Sequence, residues 1–143
     1  DMVDGVFHNL LDEIDDIDKA TVDRVVLCGG KVYYDLLERR RKDELNNVAI
    51  IRVEQLYPFP HAELREMLAQ YTQTKDFVWC QEEPRNQGAW YCSSHNFSRS
   101  LPQGGTLTYA GRRASASPAV GYLSVHNKEQ RALVEDALTI KSN

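Results

Sequence analysis

The chain has 143 residues, enough for one domain with a substantial core, and its 42% hydrophobic and 27% charged content is ordinary for a globular protein. It contains no run of eighteen apolar residues and no basic n-region leading into an apolar stretch, so neither a membrane span nor a secretory signal is expected. Its net charge of −4 comes without any basic stripe carrying interleaved aromatics, which argues against a nucleic-acid partner.

Residues 1–18 hold seven acids and no Lys or Arg, whereas the rest holds 14 acids against 17 bases. Such a block is expected to be a solvated lead-in or linker over residues 1–21, with 22–143 forming a single α/β domain. Within it Leu10, Leu11, Ile14 and Ile17 recur at helical spacing, which would let part of it dock as a short helix. The first residue is Asp rather than Met, as expected of a processed product or a fragment.

Four apolar runs read as strands: Arg24 to Cys28, Val48 to Val53, Phe77 to Cys80 and Thr106 to Tyr109. Their starts lie 24, 29 and 29 residues apart, and amphipathic segments fill the gaps. Residues 31–45 put Tyr33, Leu36 and Leu37 on one side and end in Arg39-Arg40-Arg41-Lys42, where cations suit the negative end of a helix dipole. In 61–71, Leu64, Met67, Leu68 and Tyr71 share one helical face; in 126–139, Leu133, Val134, Ala137 and Leu138 do so. A further helix follows the third strand, with Asn86 as its N-cap and Trp90, Ser93, Ser94, Phe97 and Leu101 facing inward. This alternation predicts a three-layer α/β fold, a mostly parallel sheet with helices on both faces. The first three strands are near-continuously apolar, as for strands covered on both sides, and the fourth alternates, as for a strand nearer an edge.

A parallel sheet gathers its strand C-termini at one edge, where ligands and partner domains bind. Four turns meet there: Gly29-Gly30-Lys31, Glu54 to Pro60, Gln81 to Gly88, and Gly111-Arg112-Arg113. Lys31 at a helix N-terminus suits an anion, although neither GxxxxGK[ST] nor GxGxxG is present. Arginine forks at 112 and 113 match phosphate bidentately. Lys31, Gln81, Arg112 and Arg113 are therefore the nucleotide or phosphate candidates. Alternatively Lys31, or one of the arginines, pairs with Glu82 or Glu83. Those adjacent carboxylates point to opposite faces of an extended segment, so structural ion pairs are expected of them rather than shared acid–base chemistry. The four histidines make no metal spacing and no nucleophile constellation is readable, so no catalytic or metal-ligating residue is expected. The loop from Ser115 through Ser117 to Gly121 is rich in small residues and suits a close domain or subunit contact. Cys28 and Cys80 lie inside strand runs as small hydrophobes, and three cysteines make no disulfide framework, so a reducing compartment is expected.

Several segments together carry a family resemblance. They are Gly30-Lys31-Val32-Tyr33-Tyr34-Asp35-Leu36, Arg52-Val53-Glu54-Gln55-Leu56-Tyr57-Pro58-Phe59-Pro60, the run from Lys75 to Cys92, and Tyr109-Ala110-Gly111-Arg112-Arg113-Ala114-Ser115-Ala116-Ser117-Pro118. With Gly121 and the final helix they cover roughly residues 22–140 in order. The chain thus resembles the C-terminal domain of the thiamine-diphosphate-dependent subunit of 2-oxoglutarate dehydrogenase, bacterial type, in the transketolase superfamily. The resemblance implies a homodimeric parent enzyme that decarboxylates 2-oxoglutarate in the tricarboxylic acid cycle and succinylates the lipoyl group of the succinyltransferase component. It implies that thiamine diphosphate and Mg2+ sit in other domains, and that this domain is non-catalytic and shapes the dimer. In some members the domain contributes to an allosteric site for AMP or acetyl-CoA. It also implies a cytoplasmic location in bacteria, or the mitochondrial matrix in a eukaryote. The alternatives are a nucleotide-binding regulatory module, or the equivalent domain of a sibling enzyme such as transketolase or a pyruvate dehydrogenase β-subunit.

Overall fold

The computed structural model describes residues 9–112 and 123–140. Five strands form one sheet: β1 (Leu10–Leu11), β2 (Arg24–Cys28), β3 (Val48–Val53), β4 (Asp76–Pro84) and β5 (Thr106–Arg112). Their order is β1-β3-β2-β4-β5, and every pairing is parallel except that of β1 with β3. Four helices alternate with the parallel strands: α1 (Val32–Lys42), α2 (His61–Leu68), α3 (Gly88–Arg99) and α4 (Leu123–Leu138).

The period-two geometry of a strand sorts the apolar side chains into two cores. Val26, Cys28, Val48, Ile50, Val78 and Cys80 pack on one face under α1 and α4. Val25, Leu27, Ala49, Ile51, Phe77 and Trp79 pack on the other under Leu64, Leu68 and Phe97 of α2 and α3. The three-layer expectation is met. β5 lies at an edge, and its Thr106 and Thr108 are exposed. The second helix stops at Leu68; Tyr71, expected to be helical, is buried just beyond it. β4 runs on to Pro84, so Glu82 and Glu83 belong to the strand's end.

The acidic lead-in differs from expectation. Residues 9–21 are not a solvated linker, and Leu10–Leu11 is a short antiparallel strand rather than a helix, pairing with Val53 and Arg52. Past β1, the carboxylate of Glu13 takes over the role of a neighbouring strand by accepting the Ile50 N–H at 2.7 Å. Glu13 is held by Arg40 of α1, with side chains only 1% and 2% exposed, and Arg40 also donates to the Val48 carbonyl. Asp15 bridges Arg40 and Arg41, and Asp12 accepts from Lys19 and from the Tyr71 hydroxyl. A charge block reads as solvated only while its partners are unknown. Here the arginines of α1 and the open edge of β3 supply them.

A second buried cation works at the same N-terminal end of the strands. Arg24 pairs with Asp76 and donates to the carbonyls of Asp136 and Ala137 at the end of α4. It thereby ties the last turn of α4 to the start of β2 and meets the negative helix terminus.

Candidate functional site

Register places the candidate residues along one edge. Cys28, Cys80 and Ala110 are aligned across β2, β4 and β5, so Lys31, Gln81 and Arg112 all follow at the strand C-termini. Their side chains nevertheless do separate things.

The turn after β2 needs both glycines. Gly30 has φ +73°, and a Cβ on Gly29 would stand 3.1 Å from the Val53 carbonyl oxygen. The turn delivers Lys31 as the N-cap of α1, exposed and without an ion pair among the described residues. It pairs with neither Glu82 nor Glu83.

Gln81 is 2% exposed. Its Oε1 accepts from Trp79 Nε1 at 2.8 Å and from the Trp90 N–H at 3.0 Å. Its Nε2 lies within hydrogen-bonding distance of the carbonyls of Glu83, Pro84 and Gln87. The amide therefore holds the end of β4, the following turn and the first turn of α3 together. It is a brace, not a free phosphate ligand. It also does the work expected of an N-cap: the α3 cap is Gln87 rather than Asn86, and makes no side-chain cap bond.

Arg112 is likewise engaged. Nε donates to the Glu82 carbonyl, Nη1 to Glu129 and Nη2 to Gln130 Oε1 at 2.9 Å. Its ion pair is with Glu129 of α4, not with Glu82 or Glu83. Glu82 is fixed by the Gln130 amide, which donates to Glu82 Oε2 at 2.7 Å and to Asp35 Oδ2 at 2.8 Å. Glu83 is exposed, and its carbonyl accepts from Tyr109. Among the described residues neither Glu82 nor Glu83 makes an ion pair: Glu129 of α4 takes the Arg112 guanidinium, and the Gln130 amide holds the Glu82 carboxylate. Arg113, Ser115, Ser117 and Gly121 lie outside the described residues.

Arg85 lies on the Gln81-to-Gly88 turn, between the end of β4 and the start of α3. Its guanidinium carbon stands 5.5 Å from the centroid of Trp90 and 5.1 Å from that of Tyr109. Its backbone N–H donates to the Arg112 carbonyl. Arg85, Asn86, Trp90, Tyr91 and Ser94 line an open groove of about 340 Å3. Ser94, expected to face inward, lines this groove, while Ser93 and Phe97 are buried. The only signal was one arginine five residues before one tryptophan, a spacing that matches no periodic element.

The titration behaviour is structural. Burial pushes the Cys28 thiol far up and the Cys80 thiol up to about 12, so both act as core residues, while Cys92 is exposed. Hydrogen bonding from Arg41, reinforced by Arg40 against the cost of burial, holds Asp15 down at about 2. Among the described residues no group of three or more His, Cys, Asp and Glu is arranged to hold a metal ion. No helix there is long and apolar enough to cross a membrane.

Comparison with known proteins follows the same lines. The family model described as 2-oxoglutarate dehydrogenase C-terminal matches residues 1–138. The chain is 58% identical over 139 residues to the 2-oxoglutarate dehydrogenase E1 component of Haemophilus influenzae, covering 97% of this chain and 15% of that protein. It is 52% identical over 143 residues to the corresponding component of Azotobacter vinelandii, covering 98% and 15%. The chain thus spans about a seventh of the length of these relatives. Among solved structures, a chain described as split-gene transketolase, inactive beta4 tetramer, matches with TM-score 0.62 at 17% identity. That match covers 97% of this chain and 46% of the other, and it supports the fold alone.

Proposed function

The chain belongs to the 2-oxoglutarate dehydrogenase C-terminal family, and from that premise we propose that it is the non-catalytic C-terminal domain of a 2-oxoglutarate dehydrogenase E1 component. In this reading the whole enzyme oxidatively decarboxylates 2-oxoglutarate and passes the succinyl group to the lipoyl arm of the dihydrolipoyl succinyltransferase component. Thiamine diphosphate with Mg2+ supplies the decarboxylation chemistry in domains outside these residues. The donor set described above does not fit that cofactor: Gln81 and Arg112 are committed to the fold, and no carboxylate cluster is arranged for a divalent ion among the described residues. The domain instead braces the subunit and contributes to a homodimer. The reading sets the enzyme in the bacterial cytoplasm, or in the mitochondrial matrix of a eukaryotic host.

One observation carries the proposal: the match runs over nearly all of this chain but only 15% of the relatives. The test is a decarboxylation assay with thiamine diphosphate and Mg2+, comparing the 143-residue chain with the full-length protein. Turnover is expected from the full-length protein only. Turnover by the short chain would end the reading.

A regulatory site for AMP or acetyl-CoA is a second proposal. It is favoured by the exposed Lys31, which no carboxylate among the described residues neutralises at the start of α1. Gln81 and Arg112 would join such a site only by giving up internal partners. Calorimetry of the full-length protein with each nucleotide is the check; affinity unchanged by Lys31→Ala with Arg113→Ala removes both residues from it.

A further inference from the structure

The groove on the outer side of α3 is built to receive something. Arg24, Arg39, Arg40, Arg41, Arg52 and Arg112 each hold a carboxylate, whereas Arg65, Arg99 and Arg131 make no ion pair among the described residues and have no pair of rings beneath them there. Arg85 has no carboxylate within ion-pair distance among the described residues; its guanidinium rests on Trp90 and Tyr109 instead. The two rings hold the guanidinium in place, and its N–H groups have no hydrogen-bond partner among the described residues, which leaves a fork able to match a carboxylate bidentately. Beside it Tyr91 is 71% exposed, an aromatic of the kind that anchors interfaces. Asn86 and Ser94 add polar side chains along the same wall.

Two features of the molecule select the occupant. Most of the relatives' length lies outside this chain, so a larger polypeptide is available to cover the groove. A second copy fits poorly. In its acidic segment Asp12, Glu13 and Asp15 are already paired with Lys19, Arg40 and Arg41. We propose that the Arg85–Trp90–Tyr91 groove docks a carboxylate-bearing segment from the part of the same polypeptide that lies outside these 143 residues. An Asp or Glu of that segment meets the Arg85 fork, and a flanking apolar side chain lies against Tyr91. The inference rests on the reading of this chain as one domain of a longer enzyme.

The experiment uses the full-length protein with a photo-crosslinking benzoylphenylalanine in place of Tyr91. Subunits labelled with light and heavy nitrogen are mixed, so that links within one polypeptide are told from links between two. The expected result is a link within one polypeptide, outside the present residues, to a peptide carrying Asp or Glu. Arg85→Glu and Arg85→Gln should each lower its yield about tenfold or more, as for loss of a paired interfacial charge. No link, a link to a second subunit or to another protein, or a yield indifferent to both Arg85 variants overturns the proposal. Decarboxylation by the unsubstituted full-length protein is assayed in parallel. Activity without the link refutes the groove alone, and absence of activity refutes the enzyme reading.

Discussion

Gln81 and Glu13 show two polar side chains standing in for missing backbone. Gln81 satisfies groups at the end of β4 and at the start of α3 that no regular element reaches. Gln81→Ala would leave the buried Trp79 N–H without its acceptor and release three carbonyls, and is expected to cost about 1–3 kcal/mol, measured by urea unfolding. Glu13 closes the edge of β3 with a carboxylate, and its partner Arg40 shares Asp15 with Arg41. The Asp15 carboxyl is held at about 2, below its ordinary 3.8. A carboxyl with a lowered folded pKa contributes stability above its ordinary value and loses it as the pH falls through the folded one. Stability should therefore drop between roughly pH 4 and 2, and Asp15→Asn should flatten that part of the profile of urea midpoint against pH.

The helices are held by their apolar stripes more than by their ends. α2 has only eight residues, an N-cap Pro60 with no side-chain bond, and two fully buried side chains, Leu64 and Leu68. A helix this short is marginal alone, so its packing on Val25, Leu27 and Phe77 decides whether it forms. Leu68→Ala should cost about 2–5 kcal/mol by urea unfolding, whereas a loss below about 0.5 kcal/mol would mean that this face does not pack on the sheet. α4 depends in addition on Arg24, whose guanidinium meets its last carbonyls. The period of the apolar residues announced both helices. It said nothing of Arg24, because a buried arginine at a strand's first position has the same sequence signature as an exposed one.

At the scale of the molecule, the acidic lead-in is part of the domain from residue 9 onward. Removing residues 1–21 would strip β1 from β3, orphan the Ile50 N–H and leave Arg40 buried without a counter-charge. The shortened chain is expected to lose several kcal/mol, on the scale of about 3–5 kcal/mol for breaking a buried pair. A urea midpoint equal to that of the intact chain would show the lead-in to be dispensable. The strands, their parallel sense, both helical faces and the family resemblance were legible in the sequence, because alternation, period and contiguous motifs are local properties of a chain. Which charges meet was not. Asp15 and Arg41 are 26 residues apart and Glu82 and Gln130 are 48 apart, so only the folded sheet and the helices laid on it turn a charge block into an edge strand. The same long-range packing makes two expected phosphate ligands into internal braces and leaves Arg85 facing outward between two rings.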